Sequence, residues 1–402
     1  MRKIVHITGR IPNSTTELDI PLKGKSLIIT GRNGSGKTYF LTKLHETCAA
    51  QKLYLQNDYG EILQEIERLN NTPPIAAQSV RAASEIARLM AIKQKLEETI
   101  APVFDRSNQT EAEAKGNIGI FSFSATRRSS INSTDHIDGL ANGLQKLRSP
   151  GGLADKLEQH IVNLEARRAM MGGHPDVELA KKIDSFLSRL RRNLKLLMED
   201  ESAELVFNLD ETSITIRRDG KPDTSFQTLS SGYSAFFCYY SEILLQAEAR
   251  NLTPEDLHGI VIIDEIEIHL HVSLQRLILP FLIDSFPKIQ FILTTHSPFV
   301  LTSSSQVVIY DISSNSIIEE DITLYSYSAI VEGLLDTNTK SISLESLTKK
   351  LIEVLKSEYS TSSQIKPLLT KLESSYDHLD NRSKVVYEHA LNILQDREQK
   401  DV

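Results

Sequence analysis

The chain has 402 residues, 40% hydrophobic and 24% charged, with a net charge of −8. That allows a sizeable core in one large α/β domain with insertions, or in two domains, and it excludes a chain that as a whole attracts nucleic acid electrostatically. Cys48 and Cys238 lie far apart without metal-type spacing, the start Met1–His6 lacks a signal-peptide core, and no uncharged apolar run nears the roughly 18 residues of a membrane span, so a reducing, cytoplasmic setting without a zinc site or a membrane is expected.

From the N-terminus, Ile4–Ile7, Glu17–Ile20 and Leu27–Ile29 are short strand-like runs separated by Pro12-Asn13 and by Pro21 and Gly24. They predict a small sheet leading into the loop that follows. Gly31-Arg32-Asn33-Gly34-Ser35-Gly36-Lys37-Thr38 matches G-x-x-x-x-G-K-[ST], the phosphate-binding loop of nucleoside triphosphatases. Glycines let successive N–H groups point at phosphate oxygens, Lys37 reaches the β- and γ-phosphates, and the Thr38 hydroxyl suits Mg²⁺. Ser26–Thr30 reads as a buried strand before the loop, and Lys37–Ala50, with Tyr39 in its first turn, as a helix whose N-terminus faces the phosphates.

A mostly helical excursion is expected next. Leu63, Ile66 and Leu69 mark one helix, ended by Thr72-Pro73-Pro74, and Ile86, Leu89, Leu96 and Ile100 mark the face of another. Gly119–Arg127 reads as a strand returning to the core, and 128–152, rich in Ser, Asn, Asp and Gly, as a surface loop. Leu153–Met171 and Val177–Met198 predict two helices joined by Gly172–Pro175. Ile183, Leu187, Leu190, Leu194 and Leu197 form a coiled-coil-like seam on the second, so a hairpin projecting from the body is expected. The pairs Arg127-Arg128, Arg167-Arg168, Arg191-Arg192 and Arg217-Arg218 suit either local basic patches or solvated faces.

Leu205–Leu209 and Ser213–Arg217 predict a β-hairpin. Leu229-Ser230-Ser231-Gly232-Tyr233 then precedes an apolar helix, Ser234–Ala249, where Ser230 and the following N–H groups would form an anion nest. Alone this is an ordinary helix cap. Ile260–Ile263 reads as a central parallel strand buried on both faces, delivering Asp264 and Glu265 to its C-terminal end, where α/β sheets bind ligands. Beside Lys37, Asp264 suits Mg²⁺ and Glu265 the polarisation of the attacking water. Gln290–Pro298 is another buried strand with a polar end, placing His296 to contact the γ-phosphate or orient the water.

The order Gly31–Thr38, Leu229–Gly232, Asp264-Glu265, Thr294–Pro298 resembles the ABC-type ATPases of the SMC and OLD kind. The resemblance implies an α/β head, a mixed sheet with flanking helices, split by a helical insertion and dimerising around two ATP molecules. Its lobes would be 1–58 and 203–320, with an insertion over 59–202 (hairpin 153–198, core strand near 118–127) and a helical C-terminal region over 321–402. Implied roles are Lys37 and Thr38 in the phosphate loop, Asp264 for magnesium, Glu265 as catalytic base, His296 as switch histidine, and Ser230 with Gly232 as the signature acting across the dimer.

Asp264–His271 is also similar to the D-E-P-E-x-H-L-H-P run of defence-associated and OLD-like members. It departs at Ile266 and Val272, both proline in that pattern, and the departures are expected to alter the turn after Glu265 and the roles of His269 and His271. Arg127 is a candidate charge stabiliser, and Gln56 and Gln78 are candidates for the glutamine loop.

Val307–Asp311 and Ser316–Ile318 predict a hairpin, and leucines from Leu344 to Leu394 predict helices. The tail lacks the strands ending in Glu and Asp-x-Asp that carry the OLD nuclease. Arg382 and His389, seven apart on one helix, fit the spacing of HEPN ribonucleases. The resemblance implies an ATPase switch, homodimeric or higher, for a separate effector such as a nuclease in anti-phage defence. The alternatives are a DNA-repair or chromosome-associated ATPase binding DNA directly, and a HEPN ribonuclease gated by the ATPase.

Overall fold

Three strands with no polar face hold the centre of the main sheet. In a computed structural model, β3 (Ser26–Thr30) and β9 (Ile289–Thr294) are buried at every position and β8 (His258–Ile263) at all but its first. Strands covered on both faces need helices on each side of the sheet, the arrangement of α/β proteins. The sheet has the order β11-β10-β3-β9-β8-β5, with β5 at Ile118–Phe123, β10 at Val307–Asp311 and β11 at Ser316–Ile318. All neighbours are parallel except β10 and β11. The parallel register brings the C-terminal ends of β3, β8 and β9 to one edge, where the site lies.

The structure describes residues 3–11, 17–53, 59–70, 83–91, 100–105, 118–125, 131–134, 136–138, 153–171, 176–208, 210–318, 320–335, 341–357 and 361–400. Arg127, Gln56, Gln78 and the turn Gly172–Pro175 lie outside them. The chain forms two units, Met1–Tyr327 and Ser328–Val402.

In the first unit α1 (Lys37–Leu53) follows the phosphate loop and turns Phe40, Leu41, Leu44 and Cys48 inward at helical spacing. α2 (Tyr59–Asn70) and α3 (83–91) touch through Ile66 and Leu89. Ile100, expected on a helix face, instead opens β4 (Ile100–Phe104), which pairs antiparallel with β1 (Ile4–Arg10). Pro102 explains the difference. It cannot sit in a helix interior without losing a hydrogen bond, but an edge strand tolerates it, and β4 is an edge in the order β2-β1-β4.

β1 and β2 (Glu17–Pro21) therefore belong to a separate three-stranded sheet, not to the strand that feeds the loop. Gln290 ties the two sheets. Its buried side chain accepts from Ile4 N at 2.7 Å and donates to Ile4 O at 2.9 Å and Lys25 O at 2.6 Å.

α4 (Leu157–Met170) and α5 (Val177–Met198) occupy the expected hairpin positions, but the pair does not project as an arm. Leu157, Ile161, Val162 and Leu164 on one helix and Phe186, Leu190, Leu194 and Leu197 on the other are buried. Polar anchors hold the helices to the body. Glu158 accepts from Ile214 N and Gln227 Nε2, and Asn193 donates to Tyr240 Oη at 2.8 Å. The seam read as a coiled coil is core. β6 (Glu204–Asn208) and β7 (Ser213–Arg217) form the expected hairpin, and α6 (Ser231–Ala249) carries Phe236, Phe237, Tyr239 and Tyr240 fully inward. α7 (Val272–Ser285) and the short α8 (Pro298–Leu301) complete the site's surroundings.

The second unit contains α9 (Ile342–Lys356), α10 (Ser362–Glu373) and α11 (Asn381–Lys400) around Leu351, Ile365, Leu369, Leu372, Tyr387, Ala390 and Leu394. On α11 Tyr387 and Ala390 face inward and Val385 is exposed. Arg382 and His389 are both exposed on α11.

Candidate nucleotide-binding and hydrolysis site

The phosphate loop takes its shape from three glycines at positive φ, Gly31 (+136°), Gly34 (+78°) and Gly36 (+94°). Gly31 is also a close approach: a Cβ there would stand 2.7 Å from Ser313 Oγ. Ser313, in the turn between β10 and β11, accepts from Arg32 N at 2.7 Å and so braces the loop from outside. Lys37 is buried and folds over the loop, donating to Gly31 O and Arg32 O at 3.0 Å each. Burial lowers its pKa, while Glu265, Asp264, Glu267 and Asp311 oppose that and favour the cation.

Asp264 lies at the end of β8 with both oxygens engaged. Oδ2 accepts from Thr38 Oγ1 at 2.8 Å and Oδ1 from Thr294 Oγ1 at 2.6 Å. The Thr294 hydroxyl accepts in turn from Glu265 N at 2.7 Å, so β9 fixes the acidic pair of β8. Glu265 adopts a left-handed conformation (φ +48°) and faces the loop. Ile266 is wholly buried, and its N–H donates to Thr294 O at 3.2 Å, a bond the proline of the D-E-P-E pattern could not make. The departure at Ile266 thus adds a backbone tie to the turn.

His296 follows β9. Burial first, and then Lys37, lower its pKa from the ordinary 6.5, with Glu265 and Asp264 opposing. A cavity of about 450 Å³ is lined by Asn33, Gly34, Gly36, Lys37, Thr38, Tyr39, Thr42, Glu265 and His296. Three chain segments far apart in sequence thus meet at one opening. Gly31 lies beneath Lys37, and Asp264 is buried behind Thr38.

Ser230, Ser231 and Gly232 are not among the lining residues. Ser230 is the N-cap of α6, without a side-chain capping bond, and it and Ser231 are exposed. Gly232 packs on the turn after the acidic pair, where a Cβ would meet His269 O at 3.0 Å and His271 N at 3.6 Å. His269 and His271 therefore face the start of α6 through their backbone, and the His271 side chain caps α7.

Sequence reasoning passed over Glu267, Thr294 and Gln275. Glu267 accepts from His296 N and Thr295 Oγ1, and Gln275 accepts from Ser297 Oγ at 2.7 Å. The signal for the first two was the second Glu of the D-E-x-E run and the Thr-Thr before His296. For Gln275 there was none.

The residues suit a magnesium nucleotide. The Ser35 hydroxyl is buried without a hydrogen-bond partner, an acceptor-seeking group in a loop of phosphate-binding shape. Thr38 and Asp264 offer hard oxygens side by side. Among the described residues no group of three or more His, Cys, Asp or Glu could hold a metal.

A phosphate loop after one buried parallel strand, faced by an acidic pair from the next strand but one in the same sheet, is the arrangement of a P-loop nucleotide-binding fold. Residues 95–302, just over half of the chain, match the family described as "AAA domain, putative AbiEii toxin, Type IV TA system". The chain belongs to that family. The match takes in Ser230–Gly232, Asp264-Glu265 and His296, and the phosphate loop precedes it.

The chain is 34% identical over 117 residues to the "Retron Vc95 probable ATPase" of Vibrio cholerae serotype O1 biovar El Tor, covering 28% of this chain and 23% of that one. It is 30% identical over 150 residues to the "Retron Ec83 probable ATPase" of Escherichia coli, covering 36% and 26%. The "Septu protein PtuA" of Bacillus mycoides (strain KBAB4) is 40% identical over 78 residues, 19% of this chain and 11% of that one. The chain thus spans about a quarter or less of the length of these relatives. A solved SMC head bound to the C-terminal winged-helix domain of ScpA shares 13% identity over 78% of this chain and 96% of that one, with a TM-score of 0.38. Among the described residues no helix is long and apolar enough to cross a membrane.

Proposed function

We propose that two copies of this chain close around two ATP molecules, and that hydrolysis in the closed dimer switches a separate effector protein, such as a nuclease, in antiviral defence. The observation that carries the dimer is the one-sided pocket. Lys37, Thr38, Glu265 and His296 converge on it, while Ser230 and Ser231 stand exposed elsewhere at the start of α6. A helix N-terminus with free N–H groups suits the γ-phosphate of a nucleotide held by a second copy. The likeness to the retron ATPases and to Septu PtuA supports the setting in defence.

In this reading Gly31, Asn33, Gly34, Ser35, Gly36 and Tyr39 shape the phosphate cradle, and Lys37 neutralises the β- and γ-phosphates. Thr38 and Asp264 would hold Mg²⁺, which offsets phosphate charge. Glu265 takes the proton of the attacking water, and His296 contacts the γ-phosphate. Ser230, Ser231 and Gly232 of one copy complete the site of the other.

Glu265→Gln is expected to bind ATP, to slow turnover by roughly a hundredfold or more, and to accumulate as a dimer in light scattering with ATP and Mg²⁺. Lys37→Ala weakens nucleotide binding itself. Wild-type turnover in Glu265→Gln, or a protein that stays monomeric with ATP and Mg²⁺, would end this reading.

A further inference from the structure

Glu267 does not line the pocket, yet it is bound to the residue that does. Both of its carboxylate oxygens are committed to one short stretch of chain. Oε1 accepts from His296 N at 2.6 Å, and Oε2 accepts from Thr295 Oγ1 at 2.8 Å. On its other side the same stretch is tied to the phosphate-loop strand, because Thr295 N donates to Ile29 O at 3.1 Å. The backbone carrying His296 therefore hangs between β3 and a carboxylate from the turn after β8.

That turn is itself closed on a second contact. Ile268 N donates to Glu265 O at 3.1 Å and Leu270 N to Glu267 O at 2.9 Å, giving a compact run from Glu265 to His271. Its far end presses on Gly232, where a Cβ would stand 3.0 Å from His269 O. One turn thus touches the histidine at one end and the start of α6 at the other.

We propose that Glu267 is a positioning residue that sets the place of His296 at the pocket and couples it, through the turn Glu265–His271, to the N-terminal turn of α6. The inference rests on the reading that His296 contacts the γ-phosphate. Chemistry separates it from simple filling of a buried site. A carboxylate can accept from two donors at once, whereas the isosteric carboxamide offers one acceptor and sets an N–H against the other donor. Burying a carboxylate is costly, and burial raises the Glu267 pKa. A neutral side chain would fill the space at lower cost, so the charged one is retained for its two acceptors.

The test uses the full chain with Glu267→Gln, His296→Ala and the double variant. Glu267→Gln is expected to lower kcat by roughly 10- to 100-fold, as small misplacements of a reacting group do, with KM within about threefold of wild type. The double variant is expected to be no slower than the slower single one, because residues acting as a unit are not additive. Amide exchange over 294–298 should quicken in Glu267→Gln, with β3 and β8 unchanged. A kcat within about twofold of wild type, or two single losses that multiply, overturns the inference.

A wild-type chain that turns over no ATP would break the proposed function alone. The exchange measurement still decides this inference, unchanged protection over 294–298 overturning it. Should the glutamine variant not fold, Thr295→Val removes one donor, leaves the carboxylate, and is judged by the same criteria.

Discussion

The pocket of the α/β unit and the core of the C-terminal helical unit are held by different kinds of contact. Around the pocket, polar groups from distant segments bond to one another. Thr38 reaches Asp264, Thr294 bridges Asp264 and Glu265, and Glu267 holds Thr295 and His296. In residues 328–402 the core is Leu351, Ile365, Leu369, Leu372, Ala390 and Leu394, with one buried Thr348–Ser383 hydroxyl contact. The first kind of contact specifies geometry, since each buried polar group is costly unless its one partner is in place. The second contributes stability through apolar area and is tolerant of detail. Substitutions in the two regions should accordingly fail differently.

The largest expected effect breaks the polar side of that comparison. Asp264→Ala leaves the Thr38 and Thr294 hydroxyls without their shared acceptor and removes the carboxylate beside the phosphate loop. Turnover is expected to fall by roughly a thousandfold, the upper range for loss of one electrostatic group, with a stability loss of only about 1–3 kcal/mol from the unpaired hydroxyls. Steady-state ATPase assays beside thermal melts check it. A large loss of stability with normal turnover of the folded fraction would mean the network is scaffolding only.

Leu351→Ala tests the apolar side. The side chain is wholly buried in the helical core, so its truncation is expected to cost about 2–5 kcal/mol. Chemical denaturation should show residues 328–402 unfolding earlier while ATP turnover per folded pocket is unchanged. A loss of turnover before any unfolding would show that the two regions are not separable in this way.

The pocket's chemistry was legible because it is written as spacing. Gly31–Thr38 and the apolar run ending in Asp264-Glu265 name their roles by residue type, and the buried strands β3, β8 and β9 are continuous apolar runs. What was not legible depends on partners brought together by folding. Gln290 could not be recognised as the tie between two sheets, because its three backbone partners lie 265 to 286 residues away. The seam of α5 has coiled-coil spacing, and spacing alone does not say whether the covering surface is a second helix or the body. Ile100 followed a helical count until Pro102 is weighed as an edge-strand residue.

A smaller effect sharpens the polar side with pH. His160 is buried against Phe186, its Nε2 has no hydrogen-bond partner among the described residues, and Glu248 Oε1 is 4.0 Å away. Burial pushes its pKa down to about 4. Between the ordinary 6.5 and that value the unfolded chain binds a proton that the native one does not. Stability therefore falls as pH falls through this window, by on the order of 3 kcal/mol at its lower end. Glu248, raised by burial, has the opposite sign: its contribution is present at low pH and lost as pH rises through its folded value. His160→Leu should flatten the acid-side slope in urea unfolding compared at about pH 7 and about pH 5. An unchanged slope would assign the acid sensitivity to other groups.

The smallest expected effect concerns the arginine pairs on α4 and α5, which decide between a packed hairpin and an arm that grips duplex. Arg168 Nε lies 2.7 Å from Asp184, and Arg191 donates to Glu165 at 2.5 Å, so these guanidinium groups face acids of the same hairpin. The first pair is half exposed and the second partly buried, and surface pairs of this kind contribute about 0–1 kcal/mol. Neutralised in place, they lack the unpaired positive charge that releases counterions from DNA. The double variant Arg168→Ala with Arg191→Ala is expected to shift stability within that range and to leave both ATP turnover and its response to added duplex unchanged. DNA stimulation that is steeply salt-dependent in the wild type and lost in this variant would overturn the packed-hairpin reading, and with it the contrast between a body organised around its nucleotide pocket and a projecting arm organised around DNA.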